Sequence, residues 1–148
     1  MSKISQFHLA FPVTDLDQAR RFYGGVLGCP EGRCSDVYVD FDFFGHQIVA
    51  HIAPPPPPPP DSCFDGHAVP VPHFGLNLDY TSWQQLADRL KQNAIGFVEE
   101  PHARLVGKQG EHFTMFLLDP FGNALEFKAF KDHAEQFLGG FQPSVTSE

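Results

Sequence analysis

Hydrophobic and polar residues alternate at the start of the chain, and the spacing then becomes helical. Phe7, Leu9 and Phe11 alternate with small or polar residues, which predicts a strand with one apolar face. Apolar residues three or four positions apart follow and indicate a helix, which Gly28 ends. The elements predicted for this half are a strand over 4–13, a helix over 16–28, and strands over 37–44 and 47–53.

The second half of the chain repeats this order of elements. Its predicted elements are a strand over 73–79, a helix over 83–94 that Gly96 ends, a short strand over 96–99, a polar loop over 104–110, and strands over 113–118 and 124–130. The Phe-Gly-His turn at 44–46 corresponds to the Phe-Gly-Asn turn at 121–123. An internal repeat of this kind predicts an α+β fold made of two fused β-α-β-β-β modules.

An unbroken run of prolines at 54–60 separates the two halves. Proline fixes φ and has no amide hydrogen, so the run should form a polyproline II spacer. A surface linker is favoured here over a docking site for a proline-binding domain. The predicted organisation is module one over 4–53, a linker over 54–72, module two over 73–130, and a short helix with a loose tail over 131–148.

The composition excludes several classes of partner. The formal net charge is −8 and no run of basic residues occurs, which argues against nucleic acid and against an anionic membrane surface. The three cysteines, Cys29, Cys34 and Cys63, form no C-x-x-C pair. No apolar stretch is long enough for a signal peptide or a membrane span. We therefore expect a globular cytoplasmic protein with reduced thiols.

Strand parity places three potential metal ligands on the face opposite the helices. His8, His73 and Glu126 each alternate with apolar neighbours, and small residues lie two positions away. Two imidazoles and one carboxylate form the facial triad of non-haem Fe(II) enzymes, although Mn, Zn or Ni also accept this set. The alternative is a solvated sheet face, on which Glu126 pairs with Lys128.

Two motifs in the chain resemble those of a known group of proteins. They are F-Y-G-G-V-L-G at 22–28 and D-P-F-G-N-A-L-E-F at 119–127. Together with the repeat, they resemble the vicinal oxygen chelate superfamily, which includes glyoxalase I, extradiol dioxygenases and bleomycin or fosfomycin resistance proteins. The resemblance implies two curved antiparallel sheets that form a cup with the helices outside. It also implies a divalent metal at the floor of the cup, a small-molecule substrate with two adjacent oxygens, and a homodimer.

The ligand positions resemble the extradiol dioxygenase branch more than glyoxalase I. Val49 occupies the place where glyoxalase I-like members carry a fourth, acidic ligand. An Fe(II)-dependent dioxygenase is therefore the first expectation, with His51 as the acid/base group; His51 is alternatively a fourth ligand or a solvated residue. Phe116 stands where many extradiol enzymes have a tyrosine, which counts against cleavage of catechol rings. A glyoxalase-like lyase or isomerase and a non-catalytic drug-binding protein are the alternatives.

The remaining polar residues give weaker indications. Arg104 and Lys108 are expected either to meet an anionic substrate or to lie in a solvated loop. Asp40 and Asp42 are expected at the solvent edge of their strand, with a place for one of them in the cavity lining as the alternative. The other histidines are expected at the surface: His46, His67, His102, His112 and His133.

Overall fold

Two four-stranded sheets, one from each half of the chain, carry most of the structure, a computed structural model that describes residues 4–132. The strands in chain order are β1 (His8–Val13), β2 (Glu31–Cys34), β3 (Tyr38–Phe43), β4 (His46–Ile52), β5 (Asp61–Phe64), β6 (His67–Pro70), β7 (Phe74–Asn77), β8 (Phe97–Arg104), β9 (His112–Leu118) and β10 (Ala124–Phe130). The helices are α1 (Leu16–Ala19), which continues as a π-helix over Arg20–Val26, and α2 (Tyr80–Gln92).

The two sheets have the same topology, which confirms the predicted pair of β-α-β-β-β modules. The strand orders are β1-β4-β3-β2 in the first sheet and β7-β10-β9-β8 in the second. Each sheet is mixed rather than wholly antiparallel, because β1 pairs in parallel with β4 and β7 pairs in parallel with β10. The first strand of each module therefore lies beside the last strand. That pairing places residues from opposite ends of a module side by side.

The first helix differs from the regular α-helix that its spacing predicts. Asp15 caps it by accepting a hydrogen bond from the amide of Gln18 at 2.8 Å. After Ala19 the helix widens to the π form, and the amide of Leu27 donates to the carbonyl of Phe22, five residues back, at 2.9 Å. Two consecutive glycines in this stretch are poor α-helix formers, so the wider turn costs little.

The two modules share one hydrophobic core. The rings of Phe11 and Phe74 lie 5.4 Å apart, and Phe43 lies 6.1 Å from Phe127. A buried hydrogen bond also joins the halves, because the Tyr23 hydroxyl donates to Asp119 Oδ2 at 2.7 Å. The modules therefore fold against each other rather than as separate domains.

Replacing Tyr23 with Phe tests this link between the modules. Tyr23 is fully buried, and the change leaves the Asp119 carboxylate without one of its donors. We expect the free energy of unfolding to fall by about 2 kcal/mol in urea denaturation, as for a buried hydrogen bond to a charged group. Tyr38→Phe, at a half-buried position on β3, is the control and should change it by less than about 0.5 kcal/mol. Equal losses in the two variants would contradict the assignment.

The segment between the modules contains structure that the sequence does not predict. The polar stretch after the prolines forms a hairpin of β5 and β6. In the proline run, Pro56 and Pro59 are half-buried whereas their neighbours are exposed. This period of three is that of a polyproline II helix with one edge against the protein. The run is thus packed along the protein surface.

Within residues 4–132 the structure contains no helix long and apolar enough to cross a membrane. From residue 133 onward, the short helix and tail predicted over 131–148 lie outside the described residues, as does His133.

Candidate metal centre

Two of the three predicted ligands meet on the second sheet. His73 immediately precedes β7, and Glu126 lies on the adjacent strand β10 in register with Gly75. His73 Nε2 is 3.0 Å from Glu126 Oε2, and the Glu126 side chain is 6% exposed. The other carboxylate oxygen accepts a hydrogen bond from the Thr114 hydroxyl at 2.7 Å. The parallel pairing of β7 with β10 is what brings the two residues together.

The hydrogen bonds around this pair orient both groups as a metal would require. His73 Nδ1 lies 2.7 Å from the carbonyl oxygen of Pro70, so the ring donates there and turns Nε2 toward Glu126. A carbonyl partner on the far nitrogen is typical of ligating histidines. The Thr114 hydroxyl fixes the carboxylate in the same way. The donor types and their orientation fit a divalent ion.

The pair also shifts the pKa of both members. The hydrogen bond to Glu126 raises the pKa of His73 above its usual range, against the lowering effect of burial. Burial by itself raises the pKa of Glu126, but the hydrogen bonds from His73 and Thr114 lower it overall. In the metal-free chain the two groups therefore form an ion pair over a definite pH window.

This window predicts a pH-dependent stability of the metal-free protein. Because the pKa of His73 is raised on folding, His73 stabilises the folded state fully below pH 6.5. This stabilisation is lost as the pH rises through the pKa of His73 in the folded protein. Because the pKa of Glu126 is lowered on folding, Glu126 stabilises the folded state above pH 4.5. This stabilisation is lost as the pH falls through the pKa of Glu126 in the folded protein. The free-energy difference between wild type and His73→Gln should therefore be largest between pH 4.5 and 6.5, measured by urea unfolding in chelator. A difference that does not vary with pH, or an equal one for the exposed His8→Gln control, would contradict the ion pair.

His73 lines two cavities of different character. A polar cavity of about 190 Å³ is lined by His73, Asn77, Glu126 and Lys128 among others. An apolar cavity of about 250 Å³ is also lined by His73, together with Phe11. Four prolines of the linker also line the apolar cavity: Pro56, Pro57, Pro59 and Pro72. The pair thus lies beside space for a small molecule with a polar end and an apolar body.

The third predicted ligand, His8, does not join the other two within the chain. His8 is exposed on β1, and its Nδ1 lies 2.9 Å from Gln47 Oε1. Across residues 4–132, the ligand atoms of His8, His73 and Glu126 do not all come within 4.8 Å of one another. A single chain therefore supplies two of the three expected ligands at one place.

His51, the predicted acid/base residue, lies on the same face of the first sheet as His8. The parallel register places His51 beside Pro12, just as it places Gln47 beside His8. The His51 ring is exposed and stacks on Tyr38 with centroids 6.3 Å apart. Neither cavity next to His73 includes His51.

Three polar residues expected at the surface are buried instead. Arg104 ends β8 rather than lying in a loop and is 2% exposed, whereas Lys108 is in the exposed loop as expected. His112 is 4% exposed, with Nδ1 2.7 Å from the carbonyl of Gly110. Asp40 is also buried, since Arg33 and Gln47 donate to it. Arg104 and Asp40 have ion-pair partners, which makes their burial tolerable, whereas His112 Nε2 is buried without a hydrogen-bond partner among residues 4–132.

A second ligand cluster was missed by sequence reasoning. His67, Glu99 and His102 each place one ligand atom within 4.8 Å of the others. Glu99 and His102 are three apart, so strand alternation predicts opposite faces. Register shifts in β8 around Glu99 undo that alternation and bring both to one side. Nothing in the sequence marks the position of this irregularity.

Comparison with known proteins places the chain in a family. The sequence-family model of the glyoxalase/bleomycin resistance protein/dioxygenase superfamily matches residues 5–127, which is most of the chain. The chain belongs to this superfamily. The match confirms the resemblance to vicinal oxygen chelate proteins. A search of curated proteins gave no significant match.

Solved structures of the glyoxalase/bleomycin resistance protein/dioxygenase superfamily share this fold. A protein of that description from Alicyclobacillus acidocaldarius is 34% identical, with 90% of this chain and 96% of that one covered and a TM-score of 0.75. A glyoxalase/dioxygenase from Nostoc punctiforme is 20% identical over 84% and 90%, with a TM-score of 0.63. The fosfomycin resistance protein FosX from Listeria monocytogenes is 15% identical over 92% and 98%, with a TM-score of 0.66. The last two show the fold alone.

The superfamily contains dioxygenases, glyoxalases and resistance proteins, and its members generally depend on a divalent metal. Membership therefore leaves the reaction open. The arrangement of this chain's own residues has to carry any finer assignment.

Proposed function

We propose that the chain is a metal-dependent enzyme of the extradiol dioxygenase-like branch, acting on a small substrate with two adjacent oxygens. The observation that carries the proposal is the contact of His73 Nε2 with Glu126 Oε2 at 3.0 Å. Both groups are oriented from behind, by the Pro70 carbonyl and the Thr114 hydroxyl. A buried carboxylate and an imidazole that are held in this way beside a cavity supply two oriented ligands for a metal ion.

The third ligand in this proposal is His8 of a second copy of the chain. Within one copy His8 is exposed and does not complete the trio. Two apolar residues that precede His8 in the chain are exposed: Ile4 is 86% exposed and Phe7 is 61% exposed. Apolar groups left open in this way indicate a surface that another protein covers. A two-fold dimer that covers them would give two equivalent centres, each with His8 from one copy and His73 with Glu126 from the other.

The ion proposed here is Fe(II), with Mn, Zn or Ni as the alternatives that the same ligands accept. When bound, the ion supplies Lewis-acid stabilisation of an anionic substrate oxygen and, in the case of Fe(II), the capacity to activate dioxygen. Lys128 Nζ lies 3.6 Å from Glu126 Oε2 and adds positive charge on the same side of the sheet. The chain therefore favours an anionic oxygen at this position.

The cavities define the shape of the substrate. The apolar cavity beside His73 has about 250 Å³ and is lined by Phe11, Phe74 and linker prolines. An aromatic ring or short hydrocarbon fits such a space and excludes water from the reacting end. The polar cavity lined by His73 and Glu126 would receive the two adjacent oxygens of the substrate. A small diol or catechol-like molecule satisfies both requirements.

His51 keeps its proposed role as acid/base, supplied by the copy that supplies His8. The two residues share a face of the first sheet, but they lie four residue levels apart, which is about 13 Å at the usual strand rise. Proton transfer by His51 therefore requires a substrate whose reactive group extends away from the metal.

A non-oxidative lyase or isomerase of the glyoxalase kind is a second candidate, and Phe116 favours it. Phe116 stands where many extradiol enzymes have a tyrosine, and it contacts the His73 ring edge-on with centroids 5.0 Å apart. A phenyl ring cannot donate a hydrogen bond to a phenolate, whereas a tyrosine could. Stabilisation of a bound catecholate is weaker as a result.

The test is metal analysis followed by oxygen uptake. Protein purified without a polyhistidine tag should contain a divalent ion, and loading with Fe(II) should give oxygen consumption with one of a panel of catechols. Metal binding without oxygen uptake, together with turnover of a hemithioacetal, would support the lyase instead. Substrate binding that chelator leaves unchanged would show a binding protein and overturn the enzyme proposal.

A further inference from the structure

A second set of potential metal ligands lies where the β5–β6 hairpin contacts β8. His67 Nδ1 on the hairpin is 3.2 Å from Glu99 Oε1, and His102 Nε2 is 3.6 Å from Glu99 Oε2. The two imidazole rings lie 4.9 Å apart, centroid to centroid. We propose that this cluster binds a divalent ion such as Zn(II), which links the hairpin to the second sheet. The site is separate from the His73–Glu126 pair and does not rest on the proposed function.

His102 already holds its ring in the orientation that a ligand needs. Its Nδ1 lies 2.7 Å from the carbonyl oxygen of Glu100, so Nδ1 carries the hydrogen and donates it there. Nε2 therefore carries the lone pair, and it accepts a hydrogen bond from Arg104 Nε at 3.3 Å. A neutral imidazole with its far nitrogen held by a carbonyl can bind a metal at Nε2 once the ion displaces the hydrogen bond from Arg104.

The ligand types and their exposure fit zinc, cobalt or nickel. Two imidazoles and one carboxylate are a common set for these ions, and water can complete a tetrahedral site. The side chains of His67 and His102 are 42% and 27% exposed, so an ion and its water can reach the cluster. To bind the ion through Nδ1, His67 has to be neutral with its hydrogen on Nε2, so that Nδ1 offers its lone pair.

Arg104 both supports the cluster and limits its affinity. Its guanidinium forms a close ion pair with Glu99 and lies over the rings of Phe64 and Phe116, at 5.5 and 5.6 Å. This pairing fixes the carboxylate, as an outer hydrogen-bond donor does around many metal sites. The positive charge also repels a divalent ion, so the affinity should be lower than that of a structural zinc site.

The consequence of binding would be a fixed hairpin. All four residues of β5 are exposed, whereas Val69 and Pro70 of β6 are buried. The β5 end of the hairpin contacts the second module through Asp65, which accepts from the amide of Leu105 at 3.2 Å, and Phe64, which packs on Arg104. An ion shared by His67 and β8 adds a bond between segments far apart in the chain. Binding to the folded state alone should also raise its stability.

The experiment counts ions in the full, untagged chain by titration with Co(II) and with Zn(II). The variants are His67→Gln, His102→Gln and Glu126→Gln, and Glu100→Gln is the matched control because its side chain lies outside the cluster. Wild type and Glu100→Gln should bind one ion more than either histidine variant, and Co(II) should give tetrahedral absorption bands that both histidine variants lose. Glu126→Gln should keep those bands, which separates this site from the one in the proposed function.

Limited proteolysis gives a readout that does not depend on stoichiometry. Zinc should slow cleavage within the hairpin at least about 10-fold in wild type and Glu126→Gln, but not in His67→Gln. Because His67 is partly exposed, that variant should fold even if His102→Gln does not. Unchanged ion number, Co(II) spectrum and protection in a folded His67→Gln would overturn the proposal.

Discussion

Glu126→Gln is expected to lower the affinity of the His73 centre for a divalent ion by roughly 100-fold or more, while the fold is retained. The amide has nearly the same shape as the carboxylate but carries no negative charge, and it is a poorer ligand. The Thr114 hydroxyl can still donate to the amide oxygen, so the local hydrogen bonding survives. Isothermal titration with Fe(II) or Mn(II) under anaerobic conditions measures the effect, and catalytic turnover should fall in parallel.

The control for this variant is Glu100→Gln, which removes the same charge from an exposed position on β8. It should leave affinity and turnover within about two-fold of wild type. If Glu126→Gln retains full affinity while its circular dichroism spectrum is unchanged, Glu126 is not a ligand. The proposed centre would then be excluded.

Gly75→Ala is expected to lower the free energy of unfolding by about 3 kcal/mol and to weaken metal binding at the same time. Gly75 lies beside Glu126 in the parallel pair of β7 and β10. A methyl group on Gly75 would overlap the backbone carbonyl of Glu126, so one of the two strands has to move. Because Glu126 belongs to the displaced segment, the stability loss and the affinity loss share one cause.

Gly96→Ala is the matched control, because a methyl group there meets open space. It should change stability by no more than about 1 kcal/mol and leave metal affinity unchanged. Urea denaturation and metal titration of both variants make the comparison. A Gly75→Ala protein as stable as Gly96→Ala, with normal affinity, would contradict the close approach of the two strands.

Strand alternation predicted a common face for His73 and Glu126, and the structure brings them to 3.0 Å, whereas their role as metal ligands stays a prediction. Glu126 alternates with apolar neighbours, so its face follows from sequence. His73 immediately precedes β7, and β7 lies next to β10 because the module repeats a known order of elements. Once the two strands are neighbours, the ligands need no further information to meet.

The rest of the site depends on relations that alternation does not encode. The position of His8 relative to the second sheet depends on how whole modules, or whole chains, pack together. Arg104 is buried because β8 runs further than its polar sequence suggests and because Glu99 and Phe64 surround it. His67 and His102 meet through an unpredicted hairpin and through register shifts in β8.

The most direct test of the shared centre uses mixed dimers in a His67→Gln background, which removes the second proposed site. Chains carrying His8→Gln and chains carrying Glu126→Gln are coexpressed with two different tags, neither of them polyhistidine, and the mixed species is isolated. If His8 acts across the dimer, each mixed dimer keeps one complete centre and binds one ion tightly, whereas neither pure dimer does. Mixed dimers that bind no more metal than the pure ones, or chains that remain monomeric, would contradict the account.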